Sequence, residues 1–235
     1  MTLFSPLPAV TSRRSLGELV YDSVREAIVS LRLEPGTFIY ENELAESLGV
    51  SRTPIREAIR MLSGEELLEV LPQRGTRVAP ISERKVSESR FVREQLETGG
   101  FRLAARLWRP ERHEDVRRTC LRLLEEQREA AARGDIARFL QADEAFHQAI
   151  LHVADNATLL QVIYRMRGHL NRARMLALRE LRRIEPIVDE HEALLEAVAG
   201  GDEEQAASLM RAHVGKLDRE LPELRQMYPD YFAER

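Results

Sequence analysis

Asp143, His147, His191 and His213 supply the ligand types of a divalent-metal site. Imidazole nitrogens with one carboxylate suit zinc first, with nickel, manganese or iron as alternatives. Asp143 and His147 are four residues apart, so a helix puts both on one side. Phe146 and Ile150 mark an apolar stripe there, which sets the pair near an interior. His191, in Asp189-Glu190-His191-Glu192-Ala193-Leu194-Leu195, and His213, in Met210-Arg211-Ala212-His213-Val214, belong to runs with strong apolar stripes. Three imidazoles and one carboxylate from three helices can converge inside a bundle, with water or a ligand's oxygens completing a larger coordination sphere. The same spacing also fits separate hydrogen-bonded core histidines and an ordinary Asp–His pair. His113 stands in a charged stretch and reads as a surface residue, while His169 reads as a packing residue or a pocket residue.

An open site of this kind can activate water, so a helix-bundle metalloenzyme acting on a small organic acid is the alternative function. Glu144-Ala145-Phe146-His147 satisfies the Glu-x-x-His pattern of di-iron bundles. Those bundles need a second copy, and Val188 and Met210 occupy the positions three before His191 and His213. No nucleophile–base pair is evident, Cys120 lacks a histidine partner in the sequence, and phosphate-loop or nucleophile-elbow patterns do not occur. A binding protein rather than an enzyme is expected.

A second group of residues points to nucleic acid. Arg52, Arg56 and Arg60 recur every four residues and share one helical face with Thr53, while Ile55, Ala58, Ile59 and Leu62 take the other. Such a helix fits the major groove, where arginine bonds bidentately to guanine, and its N-terminus with Thr53 can hold a phosphate. Arg74-Gly75 forms a small, positive hairpin tip suited to a minor groove or the backbone. A solvated arginine face is the bland alternative, and 15–80 holds more acidic than basic residues.

The elements that must position these residues follow from periodicity and punctuation. A helix is expected from Leu16 to Leu31, stopped by Glu34-Pro35-Gly36. A short helix from Glu43 to Leu48 ends at Gly49, and Ser51 caps the next, which runs to about Ser63 with Pro54 in its first turn. Leu67–Leu71 and Thr76–Ala79 read as strands joined through Pro72-Gln73-Arg74-Gly75. This is a winged helix-turn-helix layout. Beyond it, about six helices are expected near 82–108, 110–133, 135–154, 156–180, 184–199 and 202–227, which must pack as an all-α bundle. The protein is therefore read as mainly α: a flexible arm at 1–14, a winged helix-turn-helix domain at 15–80, an all-helical domain at 82–228, to which the resemblance given below adds effector and metal binding, and a tail at 229–235.

Composition agrees. The 235 residues are 43% hydrophobic and 31% charged, which fits a folded protein and not a disordered one. The net charge of −4 rules out a polybasic nucleic-acid binder, so any DNA contact comes from a local patch. One cysteine leaves no internal disulfide, and no apolar run is long enough to span a membrane, so a reducing cytoplasm is expected.

The words themselves carry a resemblance. Leu33-Glu34-Pro35-Gly36, Glu43-Leu44-Ala45, the run from Val50 to Ile59 (Val-Ser-Arg-Thr-Pro-Ile-Arg-Glu-Ala-Ile) and Gly75-Thr76-Arg77-Val78 closely resemble the GntR family of bacterial transcription regulators. The resemblance implies DNA contacts from Arg52 and Arg56 and a wing tip at Gly75. Relatives often carry Ser and Arg where this chain has Tyr40 and Asn42. Residues 85–220 are similar to the helical effector domain of the FadR-type branch, through Val92-Arg93-Glu94-Gln95-Leu96-Glu97, Asp143-x-x-x-His147, His191, and Gly201-Asp202 ahead of His213. This resemblance implies a divalent metal held by Asp143, His147, His191 and His213, with a small carboxylate (a sugar acid, hydroxy acid or dicarboxylate) completing the sphere. It also implies that Arg93 faces the effector, where a guanidinium suits bidentate carboxylate binding; an ion pair with Glu97 is the other role open to it. Asn171, Arg172 and Arg174 lie on a helix that can face the same cavity, with Arg172 a further candidate for the effector. The expected protein is a homodimeric, ligand-responsive repressor or activator of palindromic operator DNA.

Overall fold

The computed structural model describes Phe4 and residues 15–181 and 184–233. The rest of the arm at 1–14, including Arg13 and Arg14, lies outside the described residues. The chain divides into two compact units, 1–83 with 225–235, and 84–224.

The first unit is built from α1 (Leu16–Val29), β1 (Phe38–Ile39), α2 (Glu41–Leu48), α3 (Arg52–Gly64), β2 (Leu68–Leu71) and β3 (Gly75–Val78). Ser15 opens α1 with a capping box: its hydroxyl accepts from the Glu18 amide while the Glu18 carboxylate accepts from the Ser15 amide. Gly49 ends α2 in the left-handed conformation at φ 68°, which only glycine adopts without cost. Ser51 stands at the start of α3, as its spacing predicts, but its side chain makes no capping bond. Ile55, Ala58, Ile59 and Leu62 of α3 pack on Val20, Val24, Ala27 and Ile28 of α1 in one core.

The three strands form an antiparallel sheet in the order β1-β3-β2, with Leu71 opposite Gly75 across the hairpin. β1 is too short to show alternation, so sequence periodicity does not reveal it. The segment at 229–233, expected as a tail, is docked on this unit. Ile81 donates to the Tyr231 carbonyl at 2.7 Å and accepts from the Ala233 amide at 3.0 Å. Arg225 meets Glu83 at 2.8 Å. These backbone bonds satisfy groups that a free tail would leave to water.

The second unit is all helical. Its elements are α4 (Glu83–Leu107), α5 (Pro110–Arg133), α6 (Ile136–Val153), α7 (Ala157–Leu181), α8 (Glu185–Ala199), α9 (Glu203–Val214) and α10 (Leu217–Met227). The helix expected at 202–227 is thus two helices, ending at Gly215 and restarting at Leu217. Asp135 and Asp202 cap α6 and α9 by accepting from amides three residues ahead. Gly100 lets α4 approach α6 and α7: a Cβ there would stand 2.4 Å from Leu151 and 3.0 Å from Leu159. That close approach brings Glu97, one turn earlier on α4, against His147 on α6.

Candidate metal centre and nucleic-acid interface

Asp143 and His147 project from α6, His191 from α8 and His213 from α9, and one ligand atom from each lies within 4.8 Å of every other. The first three are fully buried and His213 nearly so. Aromatic packing sets the rings: Phe146 stacks on His191 with centroids 4.7 Å apart, and Phe101 lies 5.5 Å from His147.

Each imidazole is anchored on the side away from its neighbours. His147 Nδ1 is 2.9 Å from Glu97 Oε2, His213 Nδ1 is 2.9 Å from Glu190 Oε2, and His191 Nδ1 is 2.7 Å from Gln127 Oε1. A carboxylate only accepts, so the nitrogen facing Glu97 or Glu190 is the protonated one, which leaves Nε2 as the ligating nitrogen of a neutral ring. Gln127 Oε1 assigns the same tautomer to His191. The Nε2 atoms of His147 and His191 face each other across 3.2 Å, and Asp143 Oδ1 lies 3.5 Å from His191 Nε2. Two lone pairs so placed repel unless a cation or proton lies between them. Two nitrogens bound to one zinc-sized ion stand roughly 3.0–3.4 Å apart, so the donor set and spacing fit a divalent metal. The anchoring carboxylates and amide are the outer partners that orient such ligands.

Electrostatics points the same way. Burial, with the neighbouring His213, holds His191 well below the ordinary imidazole range, and burial brings His147 down to about 4. Both are neutral and ready to ligate. Burial alone would raise Asp143 and Glu97, but Arg174 overcomes it for Asp143, and Arg93 with Arg167 for Glu97. Both carboxylates are held well below their usual range. Arg174 clamps Asp143 through two bonds of 3.0 and 2.7 Å.

A cavity of about 500 Å³ opens beside this cluster, with His213, Arg93, Arg174 and Glu190 on its wall. Arg93 is buried and pairs bidentately with Glu97 at 2.8 and 3.2 Å. Glu97 thus takes two of the five donors a guanidinium carries, so Arg93 both makes the helical ion pair and faces the cavity. Arg167 completes the network, 2.8 Å from Glu97 and 2.9 Å from Glu144. Glu144, the acid of the Glu-x-x-His pattern, therefore turns to an arginine and not to the histidines. Arg174 rather than Arg172 lines the cavity; Arg172 is fully buried, with Nη2 2.9 Å from His169 Nδ1. Asn171 is also buried, and His113 is part-exposed against Trp108.

Gln127 and Glu190 were not singled out by the sequence. Gln127 sits alone on α5 with no motif around it; Glu190 adjoins His191 and carries only that signal.

In the first unit Arg52, Thr53, Arg56 and Arg60 are all exposed on one face of α3, and Arg74 and Gly75 are exposed at the hairpin tip. Gly75 has φ 103°, a conformation L side chains avoid. Glu41, at the start of α2, joins this face unannounced by any sequence spacing. Its Oε2 accepts from Arg52 at 2.7 Å and from Arg56 at 2.9 Å, and these bonds hold its carboxyl below the usual range.

A winged helix-turn-helix unit followed by a helical unit with a histidine–aspartate cluster is the architecture of a bacterial transcription regulator. Residues 16–78 match the bacterial regulatory proteins of the gntR family, and residues 88–216 match the FCD domain. The chain belongs to the GntR family, with an FCD domain. It is 31% identical over 225 residues to an uncharacterized HTH-type transcriptional regulator in an unstable DNA locus of Streptomyces ambofaciens, covering 96% of this chain and 93% of that one. It is 27% identical to the transcriptional repressor RspR of Escherichia coli K12, covering 93% and 94%. The gluconate operon repressor of Bacillus subtilis is 27% identical, covering 81% and 79%. Among solved structures, E. coli McbR/YncC has the same fold, with a TM-score of 0.78 at 24% identity over 92% of this chain and 99% of that one. These relatives are regulators, and the protein is a DNA-binding regulator and not an enzyme. No helix among the described residues is long and apolar enough to cross a membrane.

Proposed function

We propose that this regulator binds palindromic operator DNA as a homodimer and that its affinity is set by a carboxylate effector at a divalent-metal site in the helical unit. The observation that carries this reading is the convergence of Asp143, His147, His191 and His213 from three helices, with one ligand atom of each within 4.8 Å of every other in the buried interior. Asp143, His147, His191 and His213 would hold the ion, zinc first by donor type, and the bound ion would supply a Lewis-acidic position for a carboxylate oxygen. Arg93 offers its remaining donors from the cavity wall, and Arg174 fixes the Asp143 carboxylate. Arg52, Thr53, Arg56 and Arg60 enter the major groove, and Arg74 and Gly75 approach the neighbouring backbone or minor groove. Effector binding shifts the dimer between operator-binding and non-binding populations by its difference in affinity for the two.

The test is fluorescence anisotropy of a labelled operator duplex with zinc-loaded protein, chelated protein, and zinc-loaded protein with added carboxylates. A carboxylate that changes operator affinity at least fivefold, only when metal is present, supports the reading. Equal affinity in all three arms rejects effector control, and Arg56→Ala with undiminished affinity and sequence preference rejects the assigned DNA contacts.

A further inference from the structure

The cavity beside the histidine cluster encloses about 500 Å³, within the roughly 300–1,000 Å³ of pockets that take ligands well beyond three or four heavy atoms. Its deeper polar groups already hold partners: Arg93 pairs with Glu97, Arg174 with Asp143, and Glu190 is shared between His213 and Lys216. Lys216 and Arg219, the exposed charged groups of the lining, stand at its solvent side. Leu170, Ala177 and Leu178 of α7, Val214 of α9 and Leu217 of α10 supply buried apolar walls. A polyol chain laid along such walls gives up its water hydrogen bonds without replacement, which weakens binding about tenfold per stranded hydroxyl. A methylene there tightens binding about threefold to fourfold.

We infer that the effector is a monocarboxylic acid with an apolar body of medium length, an alkanoate or aryl-alkanoate, and not a polyhydroxylated sugar acid. This rests on the metal-and-carboxylate reading above and names the acid's chemistry. The carboxylate lies at the Arg93 and His213 end, and the body runs along Leu178, Val214 and Leu217.

Calorimetry of the zinc-loaded full-length protein with butyrate, octanoate, gluconate and 1-octanol tests it. Octanoate is expected to bind on the order of a hundredfold tighter than butyrate, four methylenes shorter. Gluconate is expected to bind no tighter than butyrate, and 1-octanol, lacking the carboxylate, at least tenfold weaker than octanoate. Leu178→Gln, or Leu217→Gln should the first not fold, shrinks the octanoate advantage at least tenfold and leaves butyrate unchanged. Equal binding of butyrate and octanoate, or tightest binding of gluconate, overturns the inference and leaves the carboxylate site standing. If zinc is held and none of the three acids binds, the carboxylate reading falls as well.

Discussion

His147 and His191 present their Nε2 atoms to each other at 3.2 Å in a fully buried site, while Glu97 and Gln127 hold the opposite ring nitrogens. Two acceptors in that relation repel unless a cation bridges them, so metal binding should stabilise the fold. Zinc at a hundredfold excess over its Kd should add about 2.7 kcal/mol, read as a rise in melting temperature. His191→Ala should remove the rise. Identical melting with zinc and with chelator would exclude a site in the folded state.

The outer partners should matter nearly as much as the ligands. Gln127→Leu keeps the volume near His191 but removes the acceptor on Nδ1. Metal affinity should fall about 10–100-fold, measured by competition with a chromophoric chelator. Unchanged affinity would mean that Phe146 stacking alone orients the ring.

Arg52 and Arg56 share one oxygen of Glu41, which fixes two guanidinium groups on the exposed face of α3. Arg56→Ala should cost about 1–3 kcal/mol of operator affinity. Glu41→Gln should act differently: it frees both arginines and removes a negative charge, so affinity for random duplex rises and the specific-to-random ratio falls. Anisotropy titrations over a salt series separate the two, since a gained phosphate contact steepens the salt slope.

Cys120 is fully buried on α5, and burial pushes its thiol up to about 12 from an ordinary 9.0. The raised value means this group's contribution to stability is complete below pH 9.0 and drains away as pH climbs toward about 12. The native thiol should resist iodoacetamide at pH 8 for as long as the fold holds and react fully in denaturant. Rapid native alkylation would show that α5 opens on the experimental timescale.

The first unit was almost wholly legible in the sequence. Its helices are bounded by local chemistry, a capping box at Ser15 and left-handed Gly49, and the arginine face of α3 follows from a four-residue repeat. The same holds for the pair Asp143 and His147 on one helix. β1 escaped because two residues carry no period, and the break at Gly215 escaped because the apolar stripe continues across it.

Local spacing thus determines which residue types stand on one face of one helix, because the helical repeat is set by the backbone itself. It carries no information about partners brought from other helices. Only packing decided that Glu97, Gln127 and Glu190 would each take the Nδ1 of a different imidazole, that Arg174 rather than Arg172 would reach the cavity, and that Glu41 would bridge two exposed arginines of α3. Those contacts join residues as far apart as Gln127 and His191, whose meeting depends on how α5 and α8 bury their stripes together and on no signal within either.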